Sequence, residues 1–420
     1  MDSTNLPKND SAPIQLARPR PARALPLSVA RTLFVVFALV PVVGTATWAT
    51  WRQVSQQPSR YEDWLGARLG LEVVLHKLQQ PQPGRERIDR AELLDPESGN
   101  LLGQAEGLRV THTRDTVEVE CEAIFIPRHQ VMPLWRLLHD RALRERHLLE
   151  REVTIKSDRV VIQSAQGRTD LTAWKLKLTR NSKGHFANAS FVETGAGAKP
   201  ITVSISRQPV DGERVTEINL LTDGLVDATT LFGDVGWLDQ LGARPRLQGN
   251  LWIEQTTRGW SLDFAGTLKG LDLERLVSRR FPHQLSGEAT AEIHQLLITH
   301  GTIQKLTGRL HGEAGHVSRS LLTAAEEFLE MRANADGADR FRFDELHVLV
   351  NVDEQGLVLR GDGEIEGSLL TARGAALLTE AGNEPRPCYC LIQALANEKS
   401  GRFFWTESCK PLLDLLPPPP

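Results

Sequence analysis

Leu247-Gln248-Gly249-Asn250-Leu251-Trp252-Ile253-Glu254-Gln255-Thr256-Thr257-Arg258-Gly259-Trp260-Ser261-Leu262-Asp263-Phe264-Ala265-Gly266-Thr267-Leu268 alternates residue by residue. Leu247, Gly249, Leu251 and Ile253 share one face before Thr257-Arg258-Gly259; Trp260, Leu262, Phe264, Gly266 and Leu268 share one after it. Period two is the signature of a half-buried strand, and so short a link closes an antiparallel hairpin. Glycine inside a strand marks a bulge or bend, so a sheet with recurrent interior glycines is one that curves.

The same pattern spreads in both directions. Over Thr116–Ile126, Val117, Val119, Cys121, Ala123 and Phe125 oppose Glu118, Glu120 and Glu122. Ile201, Val203 and Ile205 repeat it, as do Leu285, Gly287, Ala289, Ala291 and Ile293. Leu346, Val348, Val350 and Val352 lead through Asp353–Gly356 into Leu357, Leu359, Gly361, Gly363 and Ile365. Helical spacing is confined to Arg60–Leu78 (stopped by Gln79-Gln80-Pro81-Gln82-Pro83-Gly84), Gln130–Glu150, Asp227–Leu241, Asp272–Arg279 and Ser320–Met331, with Ser320 as N-cap. The expected fold is mainly β with a few amphipathic helices, built as a long curved antiparallel sheet. So few helices cannot cover a dozen long strands, so the apolar face must close on itself as a sandwich, a barrel or a trough.

Residues 32–51 carry no charge and lie between Arg31 and Arg52. As a helix they span roughly 30 Å, the thickness of a bilayer core, with Trp48 and Trp51 at headgroup level. Gly44-Thr45-Ala46 would suit a signal-peptide cleavage site, but the stretch is longer than an ordinary h-region, which favours an uncleaved anchor over 31–52. The Pro/Arg-rich head, residues 1–30, has the composition of a disordered cytoplasmic segment. Arg18, Arg20, Arg23 and Arg31 before the span, against Arg52, Arg60 and Arg68 after it, lean the same way. Residues 59–380 are then one extracytoplasmic β-rich domain of a single-pass membrane protein. Residues 381–420 form a Cys- and Pro-containing tail.

In the 420-residue chain, 49 Lys and Arg face 53 Asp and Glu, a net charge of −4. That balance lacks the basic stripe a nucleic-acid partner requires. Cys121 falls in a strand pattern and reads as a small buried hydrophobe. Cys388, Cys390 and Cys409 cluster late; in an oxidising compartment Cys388 or Cys390 can bridge to Cys409, and no histidine stands at zinc-ligand spacing beside them. Gly195-Ala196-Gly197-Ala198-Lys199-Pro200 has neither the spacing nor the Ser/Thr of a P-loop. His311-Gly312-Glu313-Ala314-Gly315-His316 has its histidines five apart around glycines, unlike a zinc helix, and His139, Asp140 and His147 read as a charged helix surface. Neither a Gly-x-Ser-x-Gly elbow nor a dinucleotide fingerprint is present. The expectation is a non-enzymatic protein without catalytic residues, metal or cofactor.

Three features resemble the AsmA-like family of envelope proteins, relatives of TamB and YhdP. The first is an N-terminal anchor followed directly by a β-rich chain. The second is Ile88-Asp89-Arg90-Ala91-Glu92-Leu93-Leu94-Asp95-Pro96-Glu97-Ser98-Gly99-Asn100-Leu101-Leu102, similar to that family's early strand–turn–strand. The third is Leu225–Val277, with Leu-x-Gly-x-Leu, a hairpin, Phe-Ala-Gly and then Leu-Asp-Leu, a cadence echoed in 285–312 and 357–374. The resemblance spans most of 30–375 and implies a tethered sheet of repeated β units forming an apolar trough, with roles in lipid movement or outer-envelope assembly and no catalytic residues. The inward positions of the strongest hairpins, Leu251, Ile253, Leu262, Phe264, Val348, Val350, Leu357 and Leu359, are then the candidate lining for acyl chains. Membrane lipids are the expected partners, with an envelope protein or an oligomer completing the path. The alternative is a closed β-sandwich that scaffolds other envelope proteins.

Overall fold

The structure is a computed structural model and describes residue 62, residues 72–134 and residues 151–396, apart from 83, 96, 97, 132, 165, 166, 183, 196–198, 211, 234–237, 335 and 336. The expected anchor, most of Gln130–Glu150 and Cys409 lie outside the described residues. Among the described residues, no helix is long and apolar enough to cross a membrane.

The chain is mainly β. Its long strands are β1 (Glu72–Gln82), β2 (Arg85–Leu94), β3 (Leu101–His112), β4 (Thr116–Pro127), β5 (Glu152–Ser164), β6 (Gly167–Asn181), β7 (Gly184–Glu193), β8 (Pro200–Val210) and β9 (Glu213–Asp227). After two short helices, α1 (Ala228–Phe232) and α2 (Leu238–Leu241), come β10 (Arg246–Thr256) and β11 (Gly259–Asp272). β12 (Leu285–Ser286), β13 (Glu288–Thr299), β14 (Thr302–Gly312) and β15 (Gly315–Ser318) follow, then α3 (Arg319–Leu329), β16 (Arg332–Ala333) and β17 (Arg340–Phe343). β18 (Glu345–Asp353), β19 (Gly356–Gly361), β20 (Ser368–Ala372), β21 (Ala375–Thr379) and α4 (Tyr389–Ala396) complete the described chain. Eighteen strands form one sheet; β12, β15 and β17 form a second.

The sheet is mixed, not wholly antiparallel. From β1 to β11, and on through β13, β14, β18 and β19, each strand pairs with the next, and every pair but one is antiparallel. The exception is β4 with β5, parallel in register from Thr116↔Glu152 to Pro127↔Gln163. A parallel neighbour requires a crossover connection between Pro127 and Glu152. The described start of that crossover turns onto the apolar face, where Val131 and Leu134 are wholly buried.

A crease crosses six strands. Lys77, Asp89, Gly107, Glu122, Asp158 and Ala173 stand opposite one another from β1 to β6, as the flanking registers fix. Lys77, Gly107 and Ala173 have positive φ (50°, 61° and 52°). Each strand spends one residue at this row without advancing the alternation, so the inward parity switches on either side. On β4, Val117, Val119 and Cys121 point inward, but beyond Glu122 the buried residues are Ile124 and Ile126. The expectation that Ala123 and Phe125 continue the inner face is therefore corrected. On β6 the crease ends in a bulge, two residues (Ala173, Trp174) lying between the pairs Thr172↔Val192 and Lys175↔Ser190.

Other expectations are corrected too. Residues 72–78 belong to β1, not to a helix, because Val73 and Leu75 bury alternately against β2. The strand runs through the expected breaker to Gln82. Leu285–Ile293 is split at Gly287 (φ 128°) between the two sheets. The strand after Asp353–Gly356 stops at Gly361. Asp227–Leu241 is two short helices, the first capped by Asp227 and ended at Gly233 (φ 66°). Asp272–Arg279 contains one π turn, Glu274–Ser278. Ser318, not Ser320, caps α3, and the tail contains a short helix, α4, that buries Ile392 and Ala394.

Two apolar clusters result. The first runs from Val73 on β1 to Ile298 on β13; the second gathers β18–β21, α3, α4 and the small sheet. Leu241, Leu268 and Ile303 pack against both.

Candidate functional site

Strand registers convert the sequence pattern into rows. One row reads Val110–Val119–Ile155–Leu176–Ala189–Val203–Leu220–Leu251–Phe264–Leu296–Leu306–Val352–Leu357, each residue directly opposite the next, across thirteen strands. At about 4.8 Å per strand this apolar stripe is roughly 60 Å long. Beside it runs a second, Val117–Val153–Leu178–Ala187–Ile205–Ile218–Ile253–Leu262–Ile298–Ile303. Direct cross-strand pairs of this kind are the unit of sheet stabilisation, and every pair here is apolar.

The structure places the candidate lining residues as follows. Leu251, Phe264 and Leu357 stand on the first row and Ile253 and Leu262 on the second; Leu251, Ile253, Leu262 and Phe264 are all 5 % exposed or less. Val348, Val350 and Leu359 belong to the second cluster, with Val350 facing Leu359 across β18 and β19. The eight therefore divide between two connected apolar regions. Beyond them, Ile155, Leu176, Val203 and Leu220 extend the face to strands that sequence reading left without a site. Their signal was present in the alternation of β5, β6, β8 and β9, but only register shows that they align.

The face is not uniformly apolar. Where the crease adjoins it, Cys121, Ser157 and Trp174 lie opposite one another on β4, β5 and β6, all buried. Ser157 Oγ donates to Arg159 O at 2.8 Å, while the Trp174 indole nitrogen finds no partner among the described residues. Burial, helped by the charge of Glu120, pushes the Cys121 thiol up to about 12, so it stays protonated and inert. Among the described residues, Cys388 and Cys390 are bridged neither to each other nor to Cys121.

The opposite face is wet and ion-paired. Lys177 meets Glu152 at 2.8 Å, Arg159 meets Asp170 at 3.0 Å, and Lys156 meets Glu118. Such exposed pairs contribute about 0–1 kcal/mol each and keep this face in solvent. Where β18–β19 meet α3, a cleft of about 20 Å³ is lined by Leu329, Met331, Leu357, Leu359 and Arg386, among others. That volume holds a single water. Among the described residues no group of three or more His, Cys, Asp or Glu is placed to hold a metal ion.

Sequence reading also missed a polar chain linking distant elements. His283, 1 % exposed, reaches Ser320 Oγ through Nδ1 and the Ala394 carbonyl through Nε2, each at 2.9 Å. No local spacing announces contacts between residues 37 and 111 positions apart. Searches of protein-family models, curated proteins and solved structures return no match to this chain.

Proposed function

We propose that the protein is an envelope component, anchored in the inner membrane by residues 31–52, whose extracytoplasmic sheet holds the acyl chains of lipids along its apolar rows. One observation carries this reading: the unbroken stripe from Val110 to Leu357, roughly 60 Å of aligned apolar side chains backed by a charged outer face. The sheet is trough-like in this account, and its role is passive. Burial of a methylene is worth about 0.8 kcal/mol, so a sixteen-carbon chain gains about 12 kcal/mol at most from leaving water for such a surface. The resemblance to AsmA-like proteins rests on sequence cadence and points in the same direction.

Lipid extraction from protein purified without added lipid, followed by mass spectrometry, tests it. Stoichiometric phospholipid is expected, and it should be lost in Phe264→Asp and Leu359→Asp variants that remain folded. A second reading, a closed scaffold for other envelope proteins, is favoured by the near-complete burial of Leu251, Ile253, Leu262 and Phe264 and by the small volume of the cleft beside Leu359. Repeated recovery of folded, lipid-free protein would select the scaffold.

A further inference from the structure

We infer that Ser320 is a base-activated nucleophile able to take an acyl group from carboxylic esters. Hydrogen-bond direction fixes the tautomer of His283. The Ala394 carbonyl can only accept, so His283 Nε2 carries the proton and donates it there at 2.9 Å. Nδ1 is then the bare, basic nitrogen, and Ser320 Oγ lies 2.9 Å from it. The other end of the chain is fixed as well. Ser318 Oγ accepts from the Gln284 amide at 3.1 Å and the Leu321 amide at 3.4 Å, which leaves its own proton for Ser320 Oγ at 3.0 Å. Ser320 already accepts from Ser318, so its proton is directed at His283.

Nucleophile, base and orienting acceptor thus form the three-part arrangement that activates serine hydroxyls, with a backbone carbonyl in the place of a carboxylate. Access and environment suit the roles. Ser320 is exposed, whereas His283 is sealed behind it, and burial holds its imidazole below the ordinary pKa and so unprotonated at neutral pH. Ser320 is also the second residue of the eleven-residue α3, where the helix dipole favours a developing oxyanion.

In the step itself the Ser320 proton passes to His283 Nδ1 as Oγ bonds to the ester carbon. Collapse of the adduct breaks the carbon–alkoxy bond, and the same proton leaves with the alcohol. Water, deprotonated by the same nitrogen, then releases the acid and restores the hydroxyl. This activity is independent of the lipid-holding reading and survives its failure.

The test is labelling of the full chain with a fluorophosphonate, read by peptide mass spectrometry. Label on Ser320 is expected, absent in Ser320→Ala and slowed about 10²- to 10⁴-fold in His283→Gln. In the wild type the labelling rate should fall in acid as His283 is protonated, a readout that does not depend on any variant folding. Absence of label on Ser320, an equal rate in a folded His283→Gln variant, or a rate indifferent to pH between 4 and 8 (about the span that brackets histidine titration) would each overturn the assignment.

Discussion

Gly249 on β10 and Gly266 on β11 face each other directly, and a Cβ built on Gly266 would lie 2.1 Å from the Gln248 carbonyl oxygen and 2.8 Å from Gly249 Cα. Two backbones pass here closer than any side chain permits. Gly249 is also gripped from β9, its amide donating to Thr222 Oγ1 at 2.8 Å next to the bulge between Leu247 and Gly249. The pair lets the sheet bend beside the row that holds Leu251 and Phe264.

Gly266→Ala should therefore destabilise the domain by about 2–4 kcal/mol, since the obstruction is backbone and cannot rotate away. Gly99→Ala offers the comparison: its φ is 65° but nothing lies within 4 Å, so only the conformational cost of about 1 kcal/mol applies. Denaturant unfolding of both variants measures the difference; equal losses would show that the close approach does not matter.

The crease makes a prediction of opposite sign. Ala173 holds φ at 52°, a region that costs an L-residue about 1–2 kcal/mol and glycine almost nothing. Glycine gives back about 0.5–1 kcal/mol through the unfolded chain, so Ala173→Gly should leave stability equal or slightly raised. Ala173→Val, β-branched at the same φ, should lower it clearly. A larger loss for glycine than for valine in thermal unfolding would remove the crease as a conformational constraint.

His283 predicts a dependence on pH. Its folded-state pKa is lowered, mainly by burial, below the roughly 6.5 of an open imidazole, so between the two values the unfolded chain binds the extra proton. The His283 contribution is thus complete above about pH 6.5 and declines as pH falls below it. His283→Gln should flatten the unfolding midpoint between pH 7 and 5 (about the range of that titration), and an unchanged slope would mean that α4 docks without this histidine.

Glu254 runs the other way. Burial, then the facing charge of Glu217, raises its pKa against a smaller opposing effect of His300. A carboxylate raised on folding is most favourable when protonated, so its penalty grows as pH climbs from the ordinary glutamate value through the folded one. Glu254→Gln should accordingly raise the unfolding midpoint at pH 7 (neutral, well above a glutamate pKa of about 4.3) and lose that advantage in acid.

Much of the secondary structure was legible because alternation is a local property. β4, β8, β10, β11 and β18 follow directly from residues two apart, and Leu251, Ile253, Leu262 and Phe264 were identifiable as inward positions from four neighbours each. The failures occur where something remote intervenes. Ala123 and Phe125 alternate flawlessly with Val117, yet they miss the inner face because Gly107 and Asp158, on neighbouring strands, are locked into the same crease. Glu72–Leu78 matches helical spacing as well as strand spacing, and pairing with β2 selects the strand.

Sequence by itself determined the class of structure: an alternating chain with short turns, interior glycines and few helices has a sheet as its only way to bury one face while satisfying its backbone. Tertiary structure alone decided which strands became neighbours, including the parallel join of β4 to β5, and so aligned thirteen separate patterns into one apolar row. It also set His283 against Ser320 and Ala394. Periodicity is written into adjacent residues, whereas register and long-range hydrogen bonds depend on distances between strands and helices that a linear pattern does not contain.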